Sequence, residues 1–240
     1  MANPQATLAG QMHVQTREAS FQALVERMER LAAQGSCTVA LSGGSTPKAF
    51  YTWVVAQAAL SPRALQNIHW HVSDERWVPL SSEDSNFGQA QRGMLQPLKI
   101  SAQLCHPWPV ELSPADGAKN YNQVWQQTSP QKTYDLCLLG LGDDGHIASL
   151  WPHGPWLEKP EAPRFAETHW PGRGWRLTIT ETGLAQCGEI VVLVNGASKV
   201  NALREVTQGA WNPSLYPGQI LRKMAAKVTW LVDAAAAGQS

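Results

Sequence analysis

Leu136-Cys137-Leu138-Leu139-Gly140-Leu141-Gly142-Asp143-Asp144-Gly145-His146 decides how this chain reads. An apolar run of strand length passes without a break into a loop of glycines, carboxylates and one histidine. So continuous an apolar run is what a strand covered on both faces of a parallel sheet requires. Glycine lets the backbone turn sharply where a side chain would clash. The acids and the imidazole therefore fall at the carboxyl end of a strand, where α/β sheets place their ligand sites. Histidine is the side chain best matched to proton transfer near neutral pH. Taken alone, the pattern fits a tight turn with a solvated acidic tip equally well. The other strand ends separate the two readings.

Working outward, residues 17–34 predict an amphipathic helix, with Phe21, Leu24, Val25, Met28 and Leu31 at helical spacing. Thr16 is its expected N-cap and Gly35 its stop. Residues 37–41 predict a strand and 47–60 a helix. A second strand is expected at 68–72, ending at Ser73-Asp74-Glu75-Arg76. Helices follow at 86–95 and 114–127, and residues 134–141 form the apolar strand already quoted. Residues 152–174, rich in Pro, Gly and Trp, read as an irregular excursion. Strands are expected at 175–180, 189–194 and 227–233, with a helix over 197–207. The first 15 residues carry no pattern beyond disorder or an edge strand. Alternating strands and helices imply an α/β fold, with a mostly parallel twisted sheet, helices on both faces and right-handed crossovers. With no repeat, low-complexity tract or linker, one domain over 1–240 is expected.

Composition narrows the partners. Lys plus Arg and Asp plus Glu balance at 19 each, so no global field draws nucleic acid or an anionic membrane to the chain. No apolar run approaches the roughly 20 residues that a membrane-spanning helix needs. The first ten residues have neither the basic nor the apolar region of a secretory leader. Cys37, Cys105, Cys137 and Cys187 form no CxxC pair, and a reducing, cytoplasmic setting fits them best. Tryptophan is frequent, at 11 residues, several beside Gly or Pro, which reads as packing over loops. His69 and His71 alternate on one strand and read as packing residues, with no metal set around them.

Three further strand ends carry polar loops. Ser42-Gly43-Gly44-Ser45-Thr46-Pro47-Lys48 opens a helix; its glycines let backbone N–H groups converge, and Ser45 and Thr46 add hydroxyls. A helix N-terminus there favours an anion, most simply a phosphate. The spacing is neither a Walker A loop nor a GxGxxG turn, and a capped helix after a glycine turn would look the same. At the second loop Arg76 offers a rigid fork for phosphate or carboxylate, and Asp74 a partner for a sugar hydroxyl or a water. A surface Asp–Arg pair is the plain alternative. At Asn195-Gly196-Ala197-Ser198-Lys199, the lysine falls in a first helical turn, a poor place for a cation unless an anion joins it. Four loops after strands of one parallel sheet open on one edge, and this convergence favours a site.

The order SGGSTP, SDERWVP with Ser85-Asn86-Phe87-Gly88 after it, GDDGHIASLWP, RLTIT and GASK resembles the 6-phosphogluconolactonase family over residues 41–203. The resemblance implies a single α/β domain of the glucosamine-6-phosphate isomerase type. It also implies hydrolysis of 6-phospho-D-glucono-1,5-lactone in the oxidative pentose phosphate pathway, without cofactor or metal. It puts the phosphate on Gly43, Gly44, Ser45, Thr46 and Lys199, joined by Arg176, and the general base on His146. Asp74 and Arg76 match site positions of the family, and Asp144 or Asp143 would orient the imidazole. Ile147 and Trp151 depart from the family's usual Thr and Phe. Isomerases of the same fold carry Phe-Asn-Glu-Pro where this chain has Ser149-Leu150-Trp151-Pro152, and Tyr at the place of Arg76. Ser149 lacks the strand–turn context of a nucleophile elbow. A non-catalytic sugar-phosphate sensor would not need the Asp-Gly-His loop. The expected partner is a small sugar-phosphate lactone bound to a monomer or weak homo-oligomer.

Overall fold

A computed structural model describes residues 5–239. The chain begins with a hairpin, β1 (Gln5–Thr7) and β2 (Gly10–Val14), and then enters α1 (Arg17–Ala33). Thr16 caps α1 as expected, its hydroxyl accepting the Ala19 N–H at 3.1 Å. β3 (Cys37–Leu41), α2 (Ser45–Ala56), α3 (Pro62–Asn67) and β4 (Ile68–Val72) follow. Next come β5 (Asp74–Arg76), α4 (Asn86–Ala90) with a π-helical turn through Gln91–Leu95, α5 (Pro114–Thr128) and β6 (Leu136–Gly140). β7 (Phe165–Trp170), β8 (Gly174–Ile179), α6 (Glu181–Ala185), β9 (Glu189–Val194), α7 (Val200–Thr207) and β10 (Val228–Val232) complete the chain.

Seven strands form the main sheet in the order β1-β2-β10-β9-β6-β3-β4, parallel except for the β1–β2 hairpin. β6 and β9 lie at its centre, and from Leu136 to Leu139 and from Ile190 to Val194 no side chain is more than 2% exposed. Complete burial on both faces explains why these segments read as unbroken apolar runs. Of the two alternatives for the first 15 residues, disorder or an edge strand, residues 5–14 take the second as the β1–β2 hairpin at the sheet edge, and residues 1–4 lie outside the described residues.

A second sheet departs from the sequence expectation, although one of its strands, β8, lies where a strand was expected at 175–180. β5, β8 and β7 form a separate antiparallel sheet in that order. β7 lies within residues 152–174, where an irregular excursion was expected. Its alternating burial was masked in the sequence by the Pro and Gly turns on either side. β5 was expected to be only the loop after β4. The sheets meet at Ser73, whose N–H donates to Leu41 C=O of the first at 2.8 Å and whose C=O accepts the Ile179 N–H of the second at 2.9 Å. α2 also starts two residues earlier than expected, which brings Ser45 and Thr46 into its first turn.

His69, His71 and His106 stack beside β4, with ring centroids 5.1 and 4.7 Å apart in succession. His71 is buried against Tyr121, and burial holds its imidazole well below the usual value, with His106 and His69 adding to the effect. His106 is lowered by the same two causes, burial first and then His69. A histidine depressed in the fold contributes stability that is present above its unfolded value of about 6.5 and lost as pH falls below it. Melting temperature should therefore fall between pH 7 and pH 5. His106→Gln, which keeps a hydrogen-bonding group but removes one titration, should flatten that fall; an unchanged slope would contradict the assignment.

Candidate active site

The four polar loops do open on one edge. Ser42 to Pro47, Asp74 and Arg76, Gly140 to Gly142 with His146, and Asn195 with Lys199 line one cavity of about 290 Å³. The second sheet supplies its remaining wall. Side chains alternate along a strand, and the register pairs Asp74 with Thr178, Arg76 with Arg176 and Thr168 with Arg176. Asp74, Arg76, Arg176 and Trp170 therefore share the face that lines the cavity.

His146 Nδ1 lies 2.6 Å from Asp144 Oδ1, and the His146 backbone N–H donates to the same oxygen at 3.1 Å. A carboxylate on Nδ1 fixes the tautomer and leaves Nε2 as the basic nitrogen. Burial alone would raise the Asp144 carboxyl, but its contacts with the His146 ring and backbone N–H hold it down at about 2. The dyad also requires a glycine: a Cβ on Gly142 would sit 1.9 Å from His146 Nδ1. Of the two candidate acids, Asp144 alone holds the imidazole. Asp143 turns away to Lys199, whose ammonium lies 2.7 Å from it, and accepts from the Ser198 hydroxyl at 3.1 Å. Lys199 holds the Asp143 carboxyl below its usual value.

Asp74 lines the cavity and is otherwise buried. Its Oδ2 accepts the Ser149 hydroxyl at 2.6 Å, and its backbone oxygen and Oδ1 accept the Asn86 amide at 2.9 and 3.3 Å. Ser149 thus serves Asp74. Asn86 also packs so closely on Gly43 that a Cβ there would lie 1.9 Å from Asn86 Oδ1. Behind it, Glu75 is 0% exposed and accepts the N–H groups of Arg76, Asn86 and Phe87 at 2.6–2.9 Å and the Ser85 hydroxyl at 3.0 Å. Burial pushes the Glu75 carboxyl up, and those donors offset part of the rise. Glu75 and Asn86 lock the second loop to the first. The sequence named neither as a functional residue, although Ser85-Asn86 already has the form of a helix cap.

Arg76 donates from Nη1 to Asp84 C=O at 2.6 Å and makes no ion pair among the described residues. The buried Nε atoms of Arg76 and Arg176 find no acceptor there either. Burial lowers Arg176, while Asp74 counters it. Two arginines directly opposed across β5 and β8 repel one another unless an anion lies between them. Among the described residues no cluster of three or more His, Cys, Asp or Glu side chains is arranged to hold a metal.

The sequence profile described as glucosamine-6-phosphate isomerases/6-phosphogluconolactonase matches residues 13–230. The chain belongs to this family. The 6-phosphogluconolactonase of Synechocystis sp. is 35% identical over 211 residues, covering 85% of this chain and 84% of its own. That of Nostoc sp. is 33% identical over 212 residues, covering 86% and 85%. The structure of 6-phosphogluconolactonase from Thermotoga maritima superposes with a TM-score of 0.75 at 25% identity, over 92% of this chain and 98% of that one. The Trypanosoma brucei structure gives 0.82 over 98% and 99%, a likeness of fold at 24% identity. Family membership and the arrangement around Asp74 together make Asn86 testable. Asn86→Ala should cost about 1–3 kcal/mol of stability, the scale of a lost buried hydrogen bond to a carboxylate. It should also lower kcat/KM at least tenfold by freeing Asp74 and the Gly43 loop, about 1.4 kcal/mol. Chemical denaturation and initial rates measure the two; full activity in the variant would contradict the role.

Proposed function

We propose that this cavity hydrolyses 6-phospho-D-glucono-1,5-lactone to 6-phospho-D-gluconate, with His146 as the general base. The observation that carries the mechanism is the 2.6 Å contact between Asp144 and His146 at the rim of a cationic cavity. His146 Nε2 takes a proton from water as the water oxygen bonds to C1. The carbonyl electrons move onto oxygen, and Arg76 stabilises that charge. On collapse the C1–ring-oxygen bond breaks, and His146 returns its proton to the departing oxygen. A δ-lactone is an activated ester, so no covalent enzyme intermediate is needed.

The phosphate sits at the N-terminus of α2, on Gly43, Gly44, Ser45 and Thr46, with Lys199 and Arg176 as its cations. Asp143 occupies one donor of Lys199 and leaves two. The phosphate lies far from C1, so its binding positions the lactone as well as holding it. Asp74, pinned by Ser149 and Asn86, accepts from a sugar hydroxyl.

Aldose–ketose isomerisation needs a titratable group after the histidine. Here Ser149 is committed to Asp74, and Trp151 donates from Nε1 to the Thr168 hydroxyl at 3.2 Å. Glucosamine 6-phosphate should therefore gain no solvent deuterium at C2. A cytoplasmic setting and a monomeric or weakly associating state belong to the same proposal. Four free cysteines, three of them buried, support a reducing compartment. No helix among the described residues is long and apolar enough to cross a membrane.

His146→Ala should lower kcat by about two to four orders of magnitude with little change in KM, the usual worth of a positioned base. NMR of fresh lactone, corrected for spontaneous opening, measures it, and a near-wild-type kcat in the folded variant would contradict the base. Lys199→Ala should weaken 6-phosphogluconate binding by about 1–3 kcal/mol and spare unphosphorylated gluconolactone. Calorimetry with both ligands decides; equal losses would move Lys199 out of the phosphate site.

A further inference from the structure

The turn between β7 and β8 carries a cation that neither the sequence motifs nor the mechanism above uses. Trp170 C=O accepts the Arg173 N–H at 2.9 Å across Pro171 and Gly172, and Gly172 has φ +75°. Pro then Gly at the two central positions is the arrangement of a type II turn. The hydrogen-bonded register continues immediately, pairing Trp170 with Gly174. Arg173 is therefore held by backbone geometry at the end of the sheet face that lines the cavity, and its side chain reaches the cavity wall.

Trp170 fixes where that side chain lies. The Arg173 guanidinium is 4.5 Å from the Trp170 ring centroid, and that of Arg176 is 5.3 Å from the same centroid. The two cations therefore lie within about 10 Å of each other, both drawn to the negative face of one ring. The edge of the same ring meets His146, with centroids 4.9 Å apart, and Trp151 stacks parallel to it at 6.0 Å. Trp170 is only 8% exposed, so the platform is rigid. The Arg173 side chain makes no ion pair or hydrogen bond among the described residues, and it lines the same cavity as Arg76 and Arg176. Three guanidiniums share this wall with one cavity-facing carboxylate, Asp74. The wall stays together at lower cost with a dianion than with a neutral molecule.

We infer that Arg173 is a further substrate-binding residue, one that grips the phosphate of the lactone from the solvent side while Trp170 holds its guanidinium in place. The assignment deepens the lactonase reading and rests on it. A phosphate carries three oxygens, and the α2 terminus with Lys199 and Arg176 meets it from the inner side. The turn closes the outer side with a planar fork suited to two of those oxygens.

The test compares wild type, Arg173→Ala and Arg173→Lys on phosphorylated and unphosphorylated gluconolactone, with inorganic phosphate as a competitive inhibitor. Arg173→Ala should raise KM for the phosphorylated lactone, and the inhibition constant of phosphate, about tenfold. For the unphosphorylated lactone, both kcat and KM of this variant should stay near wild type. Arg173→Lys, which keeps the charge but loses the fork and the stacking, should recover part of the loss. Arg173 lies exposed in a turn, so melting temperature should not move. An unchanged KM in Arg173→Ala, or equal rises for both lactones, would overturn the inference. Failure of the wild type to hydrolyse the phosphorylated lactone would instead overturn the lactonase reading, because it involves no variant.

Discussion

The site depends on one change of direction, at Ser73. There the chain leaves the parallel sheet and enters the antiparallel one within a single residue, bonded to Leu41 on one side and Ile179 on the other. Ser73 is 0% exposed, so both bonds lie away from water, where an unpaired backbone group would be costly. An open parallel sheet gives only a row of loop tips at its carboxyl edge. The second sheet turns that row into a cavity by standing a wall against it. Asp74 and Arg76, directly after the crossover, are the first residues of that wall.

The wall and the edge are then tied by polar bonds in the interior. Ser149, three residues beyond His146, reaches Asp74, and its N–H donates to the Thr178 hydroxyl at 3.0 Å. Trp151 reaches Thr168. The segment after the histidine thus lies along the second sheet, so the imidazole is positioned from both sides of the cavity. Glycine makes the close approaches possible: at Gly142 and Gly43 a methyl group would occupy the space of His146 and Asn86. Lys199, Arg76 and Arg176 give the cavity positive character, while Asp143 and Asp74 limit their repulsion. Such fixed charges reorganise little when an anion arrives.

Much of this was legible in sequence because the central strands are buried on both faces and bounded by glycine. β3, β4 and β9 have the bounds that the apolar runs imply, and with β6 they lead into the four loops. The second sheet was less visible. β7 is polar at Glu167, Thr168 and His169 and lies between turns rich in Pro and Gly, so it shows no apolar run, and β5 is only three residues long. Asn86 and Glu75 were not named because their contacts with Asp74, Gly43 and the α4 N-terminus come from packing that no spacing in the sequence reveals. Asp143 and Asp144 are neighbours of one residue type, and composition gives no basis for choosing between them. Chain geometry does, by aiming one at Lys199 and the other at His146.

Family membership accounts for the reaction, and the division of work that we propose within it rests on the geometry. The central claim is that Asp144 acts only through His146. A double-mutant cycle in kcat, with Asp144→Asn, His146→Ala and the double variant on fresh 6-phosphogluconolactone, tests that claim most directly. Residues that act as a unit are strongly non-additive. The double variant should therefore be no slower than His146→Ala alone. Losses that multiply, with the double variant slower by the product of the two single effects, would show that Asp144 acts independently and would contradict the dyad.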